Sequence, residues 1–230
     1  MLFYGILVLA VGVGLLAATA ALARALHRRY GTPYALLTVG VITYTGALAV
    51  QYVLLSTFGG PLLDLLAVRA VVFGLLAGFS EEIARLLGYQ YLARGAVTRP
   101  HALMIGLGHG AVETIYTGVL AAGVGLSLLG YGAGRPDDAG ALVSGALAEA
   151  LAGVLPLAQH AALSWLVLQV FLRGEIGWLF GAIFLHAASE IMVVLLGPDA
   201  GWALAGWRAV MALIGLLIIA TIQPPHAAEE

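Results

Sequence analysis

The stretch "GFSEEIARLLGYQYL", residues 78–92, decides how the chain is read. Two adjacent carboxylates, Glu81 and Glu82, and a guanidinium, Arg85, sit inside a segment otherwise apolar enough to cross a bilayer. A charge at the centre of a membrane helix costs about 2.5–3.5 kcal/mol on insertion scales, so these residues require a purpose.

The rest of the chain places that segment in a membrane. Of 230 residues, 62% are hydrophobic and only 10% charged, with a mean hydropathy of +1.02, whereas soluble domains carry roughly a quarter charged residues. A spanning helix needs about 20 mainly apolar residues. Seven segments qualify, at approximately 2–23, 34–57, 66–93, 101–130, 154–173, 175–196 and 201–222. The expected fold is therefore an all-α polytopic helical bundle, one transmembrane domain over 1–230. Residues 131–153 read as an extracytoplasmic loop with a short interfacial or re-entrant helix, "AGALVSGALAEALAGV", which raises the count to eight if it crosses.

Arginines set the expected orientation. Arg24, Arg28, Arg29, Arg94, Arg99 and Arg173 fall in alternate connections, whereas Asp64, Asp137, Asp138 and Asp199, with Arg135, fall in the others. This puts the N-terminus outside and the tail 223–230 in the cytoplasm, as a multi-pass protein of the cytoplasmic (inner) membrane. The first span lacks a basic leading region and a small-residue cleavage site, so it reads as a retained helix. A net charge of −2 gives no basic surface for nucleic acid. Without cysteine, disulfides and thiolate metal sites are excluded, and His, Asp and Glu remain as metal ligands. All ten basic residues are arginine, which excludes lysine Schiff-base chemistry.

Ionisable residues within spans are few: Glu81, Glu82 and Arg85; His109 and Glu113 in "GLGHGAVETIY"; His160 in "LAQHAALSW"; and His186 and Glu190 in "FLHAASEIM". His109 and Glu113, like His186 and Glu190, are one turn apart on a helix face. At 1.5 Å per residue the histidines and Glu82, Glu113 and Glu190 lie roughly 12–22 Å from the arginine-rich ends, in one slab. Four helices thus deliver imidazoles and carboxylates to a common level, the donor types that bind a divalent metal or activate water without one. Adjacent residues diverge by about 100° on a helix, so one of Glu81 and Glu82 faces such a site while the other pairs with Arg85 or orients a neighbouring helix. Arg69 and Arg208, nearer the opposite ends, are expected to snorkel, although Arg208 also suits neutralising an acid below it.

The order EExxR, GxGHGxxE, a lone intramembrane His and HxxSE resembles the YhfC family of intramembrane metalloproteases. That family is similar to the CAAX prenyl protease and bacteriocin-processing (CPBP, ABI) clan, which also holds a non-catalytic scaffold subunit. The resemblance implies an intramembrane endopeptidase. It makes Glu81, Glu82, Arg85, His109 and His186 catalytic candidates, with Glu81 leading as the water-activating base. It implies a divalent metal, zinc being the expected ion, held among His109, His160, His186, Glu113 and Glu190, or else histidines that stabilise an oxyanion. The implied partners are the lipid bilayer and a membrane-protein or lipidated-peptide substrate. The chain departs from the wider clan in having EExxR for EExxxR, which leaves Glu81 and Glu82 both open as the base, and Glu190 where the clan has Asn. A proton- or cation-coupled transporter, a haem protein with histidine ligands and a membrane scaffold or chaperone are the alternative classes.

Overall fold

The structure is a computed structural model that describes residues 2–131, 139–197 and 200–225. Arg135, Asp137, Asp138 and Asp199, used above for orientation, lie outside the described residues, as do parts of the 131–153 and 223–230 segments.

The described residues form an all-α bundle. Its helices are α1 (Leu2–Tyr30), α2 (Ala35–Phe58), α3 (Leu66–Leu87), α4 (Arg99–Tyr131), α5 (Ala139–Val154), α6 (Pro156–Arg173), α7 (Gly177–Leu196) and α8 (Trp202–Thr221), with a 3₁₀ turn before α3 and a π turn, Gly88–Leu92, after it. Among the described residues, six helical stretches are long and apolar enough to cross a membrane. The third helix is not one of them, because each of its 18-residue windows holds at least three of Arg69, Glu81, Glu82 and Arg85. Those at residues 81, 82 and 85 are buried inside the bundle.

One boundary differs from expectation. The segment read as a separate short helix runs into α6, and Val143–Arg173 is a single membrane-length stretch. Pro156 sits in the first turn of α6, where its missing N–H is no loss, so the proline marks a joint within the stretch and not its end. The Thr114 hydroxyl of α4 bonds Gly153 O at 2.7 Å and ties the joint down.

Twelve of the eighteen α6 residues are buried against four of twenty-four in α2, which makes α6 the central helix. Around it, α4 packs on α1, α2 and α6, α3 packs on α7, and α8 packs on α6. Glycines govern the closest approaches. In "GLGHG", a Cβ on Gly106 would fall 2.8 Å from Ala161 N of α6, and one on Gly108 would fall 2.9 Å from Leu37 Cα of α2. These two glycines bring α4 against helices on opposite sides and leave His109 between them.

The main apolar core lies at one end. Tyr89, Ile105, Leu163, Trp165, Leu168 and Ile183 are among its members. Below it the arginines close the bundle: Arg99 donates to Ile222 O at 3.2 Å, Arg173 to Gln223 O at 2.7 Å, and Trp165 Nε1 to Ile222 O at 3.1 Å. The ends of α6 and α8 and the start of α4 therefore share one arginine-rich face.

Candidate active site

Alternation along α3 sorts its charges. Gly74, Gly78 and Glu82 form one stripe, and the two glycines let the α7 backbone approach, a Cβ on Gly78 falling 3.0 Å from Ala187 N. Glu82 thereby reaches His186 of α7, whose Nδ1 lies 2.7 Å from Glu82 Oε1. Glu81 and Arg85 lie on the adjoining stripe, toward α2, α4 and α6. Arg85 donates to Glu82 Oε2 and to His160 Nδ1 of α6 at 3.2 Å. Glu82 is thus the acid that pairs with the arginine, and Glu81 is the one left facing the histidines.

Glu81 Oε2 lies 2.9 Å from His109 Nε2 and 3.6 Å from His186 Nε2. The opposite ring nitrogens are anchored. Thr43 donates its hydroxyl proton to Gly40 O at 2.9 Å, so at 3.2 Å it accepts from His109 Nδ1–H. Glu82 already accepts from Arg85, so His186 Nδ1–H donates to it. Both imidazoles therefore turn an Nε2 lone pair toward a carboxylate oxygen, an arrangement that calls for a proton or a cation between them. The His109 and His160 ring centroids are 4.9 Å apart and those of His160 and His186 are 5.3 Å apart. Glu81, His109 and His160 each offer a ligand atom within 4.8 Å of the others, a group able to hold a metal ion.

The remaining acids take partners other than those their spacing suggests. Glu113 bonds His160 Nε2 at 3.0 Å, across the bundle, and not His109 of its own helix. Glu190 accepts from Arg208 of α8 at 3.0 Å, and Arg208 also lies 3.8 Å from Glu113. Arg208 is buried and does not snorkel; of the two roles foreseen for it, the structure has the neutralising one. Above the cluster, away from the apolar core, a cavity of about 280 Å³ is lined by Tyr44, Gln51, Glu81, Glu113 and Glu190, with Phe73 and Val194 toward its far side. The Glu113 and Glu190 side chains, 22% and 21% exposed, line it.

All eight anticipated residues meet in this network, and α2 adds three more. Thr43 holds His109, Tyr44 stands edge-on to the same ring at 5.0 Å, and Gln51 Nε2 donates to Glu81 Oε1 at 3.1 Å and to Ser80 Oγ at 2.9 Å. They carry no charge, so a search for ionisable groups passes over them. Thr43 and Tyr44 lie at the common depth and would have been found by extending the same depth test to uncharged polar residues.

Fold and cluster together define a membrane-embedded helical protein with a buried His/Glu centre. The family model for the YhfC intramembrane metalloprotease matches residues 12–130, just over half of the chain, and the chain belongs to that family. The matched region carries Glu81, Glu82, Arg85, His109 and Glu113, while His160, His186 and Glu190 fall beyond it. No curated protein and no solved structure matches.

Proposed function

We propose that the protein is a metal-dependent intramembrane endopeptidase, with Glu81 as the base that activates water. The observation that carries this reading is a charge deficit. Four carboxylates, Glu81, Glu82, Glu113 and Glu190, meet two guanidiniums, Arg85 and Arg208, within one hydrogen-bonded network. With neutral histidines two negative charges are uncompensated, and an unpaired charge in a bilayer interior is costly. A divalent cation beside the converging imidazole nitrogens restores neutrality, and zinc suits nitrogen and oxygen donors of this kind.

His109 and His186 would hold the ion through Nε2, His160 joining through Nδ1 where Arg85 gives up that nitrogen, with Glu113 and Glu190 acting through His160 and Arg208 as orienting partners. When bound, the ion supplies a Lewis acid that acidifies water and polarises the scissile carbonyl. Glu81, steadied through Oε1 by Gln51, takes the proton of the attacking water and returns it to the departing amide nitrogen as the C–N bond breaks. Glu82, fixed between Arg85 and His186, keeps its charge and orients the imidazole. The motif order supports kinship with the CAAX prenyl protease clan. We place the arginine-rich face in the cytoplasm and the N-terminus outside, with seven crossings of the inner membrane, α5 and α6 together making one.

Elemental mass spectrometry of detergent-purified protein tests the metal. About one zinc per chain is expected in the wild type and none in a His109→Ala/His186→Ala variant. Absence of stoichiometric metal from both would sink the metal-dependent form of the reading and turn attention to Glu81 alone. On a cleaved membrane peptide, Glu81→Gln is expected to slow hydrolysis by about a hundred- to ten-thousand-fold with metal retained.

A further inference from the structure

A groove on the lipid side of α2 and α3 stands next to the cluster. Its middle and lower part, about 620 Å³, is lined by Gly46, Val50, Phe79, Ser80, Ile83 and Tyr91 among others. Leu54 and Leu76 continue it into a second depression of about 380 Å³ that reaches Phe58, Leu63 and Val68. From Val68 to Leu92 the groove follows α3 and its π turn for about 36 Å at 1.5 Å per residue. The hydrocarbon core of a bilayer is about 30 Å thick, and a lipid chain covers only one leaflet of it. The length therefore matches a whole spanning helix.

The groove and the site share a wall. Ser80 lines the groove, its hydroxyl receives Gln51 Nε2, and Gln51 also holds Glu81 and lines the cavity on the other side. The Gln51–Ser80 contact thus stands between the groove and the carboxylate.

We propose that the α2–α3 groove is the docking surface for a membrane-spanning helix of the substrate, and that the Gln51–Ser80 contact is the seam through which that helix is admitted to Glu81. This rests on the endopeptidase reading and adds to it the substrate class and the route of entry. Small side chains along the floor, Gly46, Ser80 and Ala84, let a second helix lie close. A Cβ on Gly46 meets nothing within 4 Å, so a larger residue there fills the groove without disturbing the bundle.

The cysteine-free sequence makes the test direct. Single-cysteine variants at Val50 and Ile83 in the groove, and at Ile115 and Leu213 on other exposed faces, are placed in phosphatidylcholine vesicles in a Glu81→Gln background. The probe is a synthetic leucine–alanine spanning peptide with one central cysteine. Disulfide yield at Val50 and Ile83 is expected to exceed that at Ile115 and Leu213 by about tenfold, the ratio that about 1.4 kcal/mol of preference gives. Adding Gly46→Leu is expected to erase the excess. Equal yields on all faces, or an excess untouched by Gly46→Leu, would overturn the proposal and leave the groove to lipid. The cross-link forms without turnover, so it reads docking separately from hydrolysis and from metal content.

Discussion

The seam between α1 and α4 relies on close-packed glycines, whereas the seam that joins α3 to α6 and α7 adds polar partnering to the glycine contacts of Gly74 and Gly78 with α7. In the first, a Cβ on Gly12 would stand 2.7 Å from Gly118 O and 2.9 Å from Ala122 Cα, and one on Gly125 would stand 2.7 Å from Leu9 Cα. Backbones meet there through absent side chains. In the second, Arg85, Glu82, His160 and His186 link three helices by hydrogen bonds between charged and polar groups. Lipid gives helices no hydrophobic reason to associate, so shape and polar contacts are the means available. The contrast teaches that a shape-based seam is specified by what it lacks, while the polar seam is specified by which charged and polar groups it pairs and is open to chemistry.

Substitution can break this contrast at its strong side first. Arg85→Leu leaves Glu82 buried without its guanidinium and is expected to cost about 3–5 kcal/mol, read as a lowered unfolding midpoint in detergent. Glu82→Gln combined with Arg85→Leu is expected to recover most of that loss. A neutral single variant would mean that the ion pair does not hold the seam. Next, Gly12→Leu is expected to cost about 1–3 kcal/mol by prising α1 from α4. Gly14→Leu, whose Cβ has open space, serves as the control, and equal effects of the two would remove shape as the explanation. The smallest effect sharpens the link between structure and chemistry. Thr43→Val removes the acceptor for His109 Nδ1–H and is expected to weaken zinc binding about tenfold in chelator competition while leaving the fold in place.

The two seams were unequally legible in the sequence. Length and apolarity alone pick out segments that match six membrane-length stretches among the described residues, while α3 is set apart by its buried charges. The α5–α6 joint was less legible, since Pro156 signals a start but cannot say that the preceding helix runs straight into it. Depth along each helix, which needs only the rise per residue, brings six of the eight ionisable candidates to one level. Their pairing depends on how each helix is rotated and on what lies opposite. For that reason Glu113 meets His160 and not its own His109, and Glu190 meets an arginine that looked destined for the interface. The glycines of "GLGHG" suit close helix approach, but only the fold assigns one to α6 and another to α2.

The one-sided apolar core has an electrical consequence. A polar cluster halfway through a membrane is the first half of a leak, because any second wet path would connect the two compartments. The layer of Leu163, Trp165, Leu168 and Ile183 beneath Arg85 is apolar and buried, whereas the cavity lies on the opposite side of the cluster. The protein can thus keep ionised groups deep in the bilayer without short-circuiting the membrane, since the voltage drops across that thin insulating layer.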